Sequence, residues 1–275
     1  MARKVIFVGE CILDIVFEGM QPISAEASGL MLDTARQLAT EGIEVAFAGE
    51  ASADASGDFI LAKLTEAGVD TAMVDRPVDS STPVRLVRAD RPGDDPAIYT
   101  RYSRERMSFG WPAARPGDIV VFGGYFALAQ RSRHEVSEFI KMCADRGMII
   151  VYLPGYEPQL DPAVTHVMPF LIEGLESADI VVTAARDNLN LWRCDDPQQC
   201  YRRNISFYVP LSIDINPATG VVTQCDESKC ATYSMQPGRA LPGRVLTAFL
   251  GALARDTRDD KQSILSNPPV WQPIH

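Results

Sequence analysis

Val5-Ile6-Phe7-Val8-Gly9-Glu10-Cys11-Ile12-Leu13-Asp14 decides how this chain folds. An apolar run this short, meeting a charge at once, reads as a buried first strand spanning about Lys4–Phe17. It is too short for the core of a signal peptide and ends in a carboxylate. A turn-rich stretch, 18–28, follows, and then Leu30–Glu41 places Leu30, Leu32, Ala35, Leu38 and Ala39 at helical spacing. Gly42 stops that helix. Val45–Gly49 reads as the next strand, Gly57–Ala67 as a helix ended by Gly68, and Thr71–Arg76 as a short third strand.

Residues 77–117 break the rhythm. They are rich in Pro, Asp and Arg, with strand-like pieces at Pro83–Arg88 and Ala97–Tyr102, and read as antiparallel strands or loops projecting from a main sheet. Alternation then resumes: strand Asp118–Phe122, helix His134–Arg146, strand Met148–Leu153, helix Thr165–Glu176, strands Ile180–Thr183 and Ile205–Val209, and a small-residue helix Val245–Ala254. Strands alternating with helices of this length predict a parallel sheet covered on both faces. The segment 256–275 is polar and Pro-rich and reads as a surface extension.

A formal charge of -10 argues against a nucleic-acid partner, which needs a basic footprint. No apolar stretch reaches membrane-spanning length. With no secretory pattern at Met1-Ala2-Arg3-Lys4, the expected location is the cytoplasm. Six cysteines in 275 residues make no disulfide framework. Cys194 with Cys200, and Cys225 with Cys230, form two loose pairs, open to a zinc or redox role or to four unlinked thiols. Scattered His134, His166 and His275 offer no metal site or triad, and Walker-A, Rossmann and nucleophile-elbow motifs are absent.

Several segments together resemble the ribokinase-like, PfkB-type carbohydrate kinases. Gly9-Glu10 with Asp14 is similar to that family's Gly-Glu-x-x-x-Asp first strand. Ser28-Gly29, with Asp33-Thr34-Ala35, resembles its Gly-Gly-x-x-x-Asn-x-Ala helix start. Gly49 to Asp54 with Gly57, Leu64 to Thr71, Gly117 to Gly124 and Ala178 to Val181 match further motifs in the same order. The resemblance implies one doubly wound α/β domain over 1–255. It also implies a small β-lid from about 12–28 and 80–107, which in the family covers the sugar and often makes a homodimer contact. It implies a small sugar as partner, and ATP with Mg²⁺ as cofactors if the protein is active.

It implies roles for particular residues too. Asp14 falls where relatives bind sugar hydroxyls, or else caps a polar turn. Gly29 allows close backbone approach. Asp33 replaces an Asn and accepts but cannot donate, or it serves the helix as an N-terminal acid. Arg101 falls where some relatives hold acidic sugars, or is a solvated edge-strand cation. Leu153-Pro154-Gly155-Tyr156-Glu157 stands where many relatives read Asp-Pro-Asn-x-Arg. Asp187 keeps a carboxylate where the family's Asn-x-x-Glu organises Mg²⁺, while Ala184 removes the Asn; alternatively Asp187 is a helix-start acid.

Arg244-Val245-Leu246-Thr247-Ala248-Phe249 stands where the family carries Gly-Ala-Gly-Asp-Ala-Phe. Thr247 takes the place of the general base, and a hydroxyl is not basic enough for that task. Val245 and Leu246 carry side chains where phosphate would meet bare backbone, and Arg244 is the remaining candidate for an anion. Two expectations stand side by side: a sugar kinase with altered catalytic groups, or a sugar-binding or regulatory protein on the same scaffold.

Overall fold

The computed structural model describes residues 2–91, 97–101, 110, 113–269 and 271. Its strands are β1 (Val5–Glu10), β2 (Ile12–Glu18), β3 (Gln21–Ser28), β4 (Val45–Glu50), β5 (Asp70–Asp75), β6 (Ser81–Arg88), β7 (Ala97–Arg101), β8 (Ile119–Gly123), β9 (Ile149–Leu153), β10 (Ile180–Ala184), β11 (Leu211–Asn216), β12 (Val221–Asp226) and β13 (Cys230–Ser234). The helices are α1 (Leu30–Thr40), α2 (Ala55–Glu66), α3 (Gly124–Leu128), α4 (Arg133–Asp145), α5 (Val164–Ser177), α6 (Ala185–Trp192), α7 (Pro197–Cys200), α8 (Leu241–Arg255) and α9 (Lys261–Ser266).

Among the described residues the strands form a nine-stranded sheet, ordered β13-β12-β11-β10-β9-β8-β1-β4-β5, and a four-stranded sheet, ordered β3-β2-β6-β7. From β5 to β11 every pairing is parallel, and β12 and β13 add an antiparallel edge. The central strands are buried on both sides, as near-continuous apolar runs require. One core layer packs α1 and α8 on one face, with Leu38, Phe249 and Leu253 fully buried. The other packs α4 and α5, with Phe139 and Leu171. The molecule is a mixed α/β protein with a mostly parallel sheet flanked by helices.

The first strand is shorter than its apolar run suggested. The chain leaves the main sheet at buried Cys11 and continues as β2 in the second sheet, whose residues are mostly half-buried. The second sheet is built from the segments the sequence assigned to a lid. Of those, Tyr102 and the rest of 102–107 lie outside the described residues. Asp54 pins this sheet to the main one. It caps α2 by accepting from the Gly57 N–H at 2.8 Å, and it also accepts from the Thr82 N–H and hydroxyl, each at 2.8 Å.

Three other expectations need correction. Ile205–Val209 is not a strand: Tyr201–Ile205 forms a π-type turn, and the Val209 N–H donates to the Ile205 carbonyl. Ile205 and Val209 are both buried at helical, not strand, spacing, and the strand begins after Pro210. Cys225 and Cys230 are not unlinked thiols; they face each other across β12 and β13 and form a disulfide, while Cys194 and Cys200 remain free. The segment after residue 255 is not only surface. It holds α9, whose Ile264 and Leu265 join the core, and buried Trp271 donates its indole N–H to Gln224 and meets Phe249 edge-on.

Candidate functional site

A cleft of about 210 Å³ opens between the two sheets, at the C-terminal ends of β1, β8 and β9. Open parallel sheets bind ligands at this end. Glu10, Gly123 and Leu153 supply its floor from the strand ends. Ile12, Pro83, Arg85 and Ile98 close it from the second sheet. Gly29, Leu30, Met31 and Leu32 bring the start of α1 to it, and Gly155, Glu157 and Leu160 form the loop wall.

The strand ends reach so close because of glycine. Gly123 has φ 151°, and an added Cβ would lie 1.8 Å from the Leu153 carbonyl oxygen of the neighbouring strand. Gly29, with φ 129°, opens α1 and has nothing within 4 Å of an added Cβ, so bare backbone borders the cleft.

Asp14 is buried and does not border the cleft. The parallel register of β2 and β6 sets it directly beside Arg85. Arg85 donates from Nε and Nη2 to the two carboxylate oxygens, both at 2.8 Å, and from Nη2 to the Ser28 hydroxyl at 3.3 Å. Burial works against the Arg85 charge, but Asp14, with Glu157 and Asp33, holds the guanidinium above its ordinary pKa. The cation that faces the cleft is thus Arg85, which motif matching does not single out. Its signal in the sequence is a lone Arg inside the apolar run Val84–Val87.

Gly29 lies at the cleft, whereas the other expected residues are dispersed. Asp33 sits in the first turn of α1, exposed, 3.9 Å from Arg36. Arg101 is exposed at the end of β7, its N–H donating to the Ser81 hydroxyl. Arg244 donates to the Gln236 carbonyl at 2.6 Å. Thr247 is 6% exposed within α8, beside Val245 at 0% and Leu246 at 1%, and it does not line the cleft.

Asp187 lies one layer behind the loop wall. It is buried and accepts from the Tyr156 and Ala184 N–H groups, each at 3.1 Å, fastening the loop that carries Gly155 and Glu157. Nearby, Asp214 on β11 accepts from the Thr183 hydroxyl at 3.0 Å and from the Asn188 amide at 2.6 Å. Burial pushes both carboxyls up to about 6, against the pull of these donors. Among the described residues no group of three or more His, Cys, Asp or Glu could hold a metal ion. Asp187, already bound to two backbone amides, is the carboxylate left for the Mg²⁺ that the resemblance implies. Mg²⁺ in phosphotransfer sites is held by one or two carboxylates together with substrate phosphates, and Asp187 is the residue that would contribute one here.

The raised carboxyls give a pH signature. An ordinary aspartate ionises near 3.8, and these stay protonated to about 6, so between those values the folded chain binds more protons than the unfolded one. The stability this confers is complete at the bottom of that window. It is lost as the pH rises through about 6, by up to about 3 kcal/mol per carboxyl. Asp214→Asn keeps an acceptor for Thr183 and Asn188 and removes one titration. Urea midpoints between about pH 4 and 7 are expected to fall less steeply in this variant. An unchanged slope would show that Asp214 titrates normally.

The model of the pfkB family carbohydrate kinases matches residues 4–198. No curated protein sequence matches the chain. Among solved structures, fructokinase from Vibrio cholerae O395, bound to fructose, ADP and calcium, superposes with TM-score 0.80 at 16% identity, covering 96% of this chain and 89% of that one. Aminoimidazole riboside kinase from Salmonella enterica, complexed with aminoimidazole riboside and an ATP analogue, gives 0.79 at 15% identity, covering 96% and 88%. Fructokinase from Xylella fastidiosa with bound ATP gives 0.77 at 17% identity, covering 98% and 88%. Among the described residues no helix is long and apolar enough to cross a membrane.

Proposed function

The chain belongs to the pfkB family of carbohydrate kinases, and from that premise we propose that it binds a sugar-like small molecule in the cleft without transferring phosphate at an ordinary kinase rate. One observation carries this. The turn that would present a base and bare backbone to phosphate is filled instead by Val245, Leu246 and Thr247, all buried within α8. A buried hydroxyl supplies no general base near neutral pH, and that loss alone slows such reactions by about 10²–10⁴-fold. Losing the anion-binding backbone adds to it.

The acceptor side supports retained binding. Gly29, the strand ends and the second sheet still enclose a cleft of about 210 Å³. The sugar and nucleotide ligands of the solved relatives fit a scaffold that brings two substrates together, of which this chain keeps the acceptor half. The lid sheet, the cytoplasmic location and a homodimer contact through that sheet belong to the same proposal. A weaker reading keeps catalysis, because Glu10 and Glu157 bring carboxylates to the cleft.

Calorimetry separates the two readings. The binding reading expects heat from an acceptor sugar or glycoside and none from Mg²⁺-ATP. Tight Mg²⁺-dependent ATP binding would favour the enzyme.

A further inference from the structure

Away from the cleft, α7 packs against β12, and Cys200 and Cys225 are buried in the same core layer, with Cys194 and Cys230 packed against it. Cys225 and Cys230 are already joined, whereas Cys194 and Cys200 are free. The turn between α6 and α7 brings the free pair together. Arg193 ends α6 with φ 54°, the one non-glycine residue with positive φ among the described residues, and folds the chain back on itself. Asp196 then caps α7, accepting from the Gln198 and Gln199 N–H groups at 2.9 and 3.1 Å, with Pro197 at the first helical position. Both cysteines meet on one acceptor: the Asp196 carbonyl oxygen takes the Cys194 thiol at 3.3 Å and the Cys200 N–H at 2.8 Å. Their surroundings differ. Cys194 is half-buried, while Cys200 is fully buried, with the Asn204 amide 3.9 Å from its sulfur. Burial pushes the Cys200 thiol up to about 12, and the neighbouring Cys194 adds to the rise.

We propose that Cys194 and Cys200 form a reversible dithiol–disulfide site, which closes when a small disulfide such as oxidised glutathione takes up their two electrons. The more exposed partner reacts first. The Cys194 thiolate attacks the small disulfide, forming a mixed disulfide and releasing one glutathione thiolate. Cys200 then attacks the Cys194 sulfur, and its proton leaves with the second glutathione. One oxidised glutathione becomes two reduced ones, and two protein thiols become one disulfide. Burial makes Cys200 a poor target for outside reagents, so Cys194 is the way in. The closed bond fastens the end of α6, whose first turn carries Asp187, to α7. In a reducing compartment, bonds of this kind form transiently and report the redox state.

Oxidised glutathione tests it, mixed with the full folded chain. The remaining thiols are then blocked with N-ethylmaleimide in denaturant, and the chain is cut with trypsin. Cleavage after Arg193 and Arg202 leaves both sulfurs in the peptide 194–202. That peptide is expected unblocked and lighter by the two thiol hydrogens, while Cys11 and Cys143, both buried, are blocked as in the untreated chain. In Cys194→Ser, with circular dichroism confirming the fold, Cys200 is expected to stay blocked by maleimide throughout. A lasting glutathione adduct on Cys194 with Cys200 still free would overturn the proposal, and so would no reaction at all. Cross-links from 194–202 to the peptides of Cys225 or Cys230 would overturn the pairing, and oxidation of Cys200 in Cys194→Ser would overturn the order of attack.

Discussion

Gly123→Ala is expected to be the most damaging single-methyl change in the molecule. The new Cβ would lie 1.8 Å from the Leu153 oxygen, 2.6 Å from its carbon and 3.1 Å from its Cα. All three are backbone atoms of β9, which pairs with β8 at that position. No side chain can rotate away to make room. The residue would also have to hold φ 151°, which L side chains rarely adopt. Either β9 separates from β8 or the turn into α3 is rebuilt, and each opens the floor of the cleft. The expected cost is at least about 4 kcal/mol, among the large losses known for point changes. Thermal unfolding should show a Tm lower by about 10 °C, or no soluble protein at all. Gly29→Ala is the control. It too has positive φ, but open space around the Cβ, so its cost is strain alone, about 1–3 kcal/mol. Equal stability losses in the two variants would show that the close approach of β8 and β9 does not matter.

The Asp14 and Arg85 pair gives the second large effect. The Asp14 side chain is 7% exposed and that of Arg85 22%, and the two are joined by a bidentate pair of hydrogen bonds. Removing one partner strands the other. Asp14→Leu and Arg85→Met are each expected to cost about 3 kcal/mol or more. The double variant Asp14→Leu with Arg85→Met should lose much less than the sum, since no unpaired charge is left buried. Chemical unfolding of the four proteins measures the coupling. Additive losses would mean that the pair is solvated and contributes little. Arg85 also borders the cleft, so its variants should lose ligand affinity, whereas Asp14 acts through Arg85 and should shift affinity less directly.

Much of the main sheet was legible because its signals are local. Buried parallel strands read as short apolar runs, and α1 and α2 declare themselves by periodicity and by stops at Gly42 and Gly68. Changes of sheet are not written that way. Nothing in the run from Val5 to Phe17 marks Cys11 as the point of departure, because both halves are apolar enough for a strand. Ile205 and Val209 bound a short apolar run that is equally compatible with a strand, but their spacing of four places both ends on one side of a helical turn. The Cys225–Cys230 pairing is a consequence of a hairpin register, and spacing alone left it open.

At the site, Gly29 borders the cleft, and a glycine at a helix start is legible in sequence as a place where bare backbone is exposed. Arg85 was missed because its meaning depends on a partner 71 residues away, brought alongside by the parallel pairing of β2 and β6. Asp14, Asp187 and Thr247 were located by motif order, but their surroundings come from packing. Asp14 is paired with Arg85, Asp187 holds a loop, and Thr247 is buried within α8.

The central claim is that the acceptor cleft is kept while the phosphate-transfer turn is filled. Phosphorus NMR of the full chain with Mg²⁺-ATP and a bound acceptor, followed for hours, tests it most directly. The account predicts an acceptor that binds and an ATP signal that does not convert to a phosphate ester beyond a protein-free control. Repeated turnover at the ordinary kinase rate of about 1–100 s⁻¹ would contradict it.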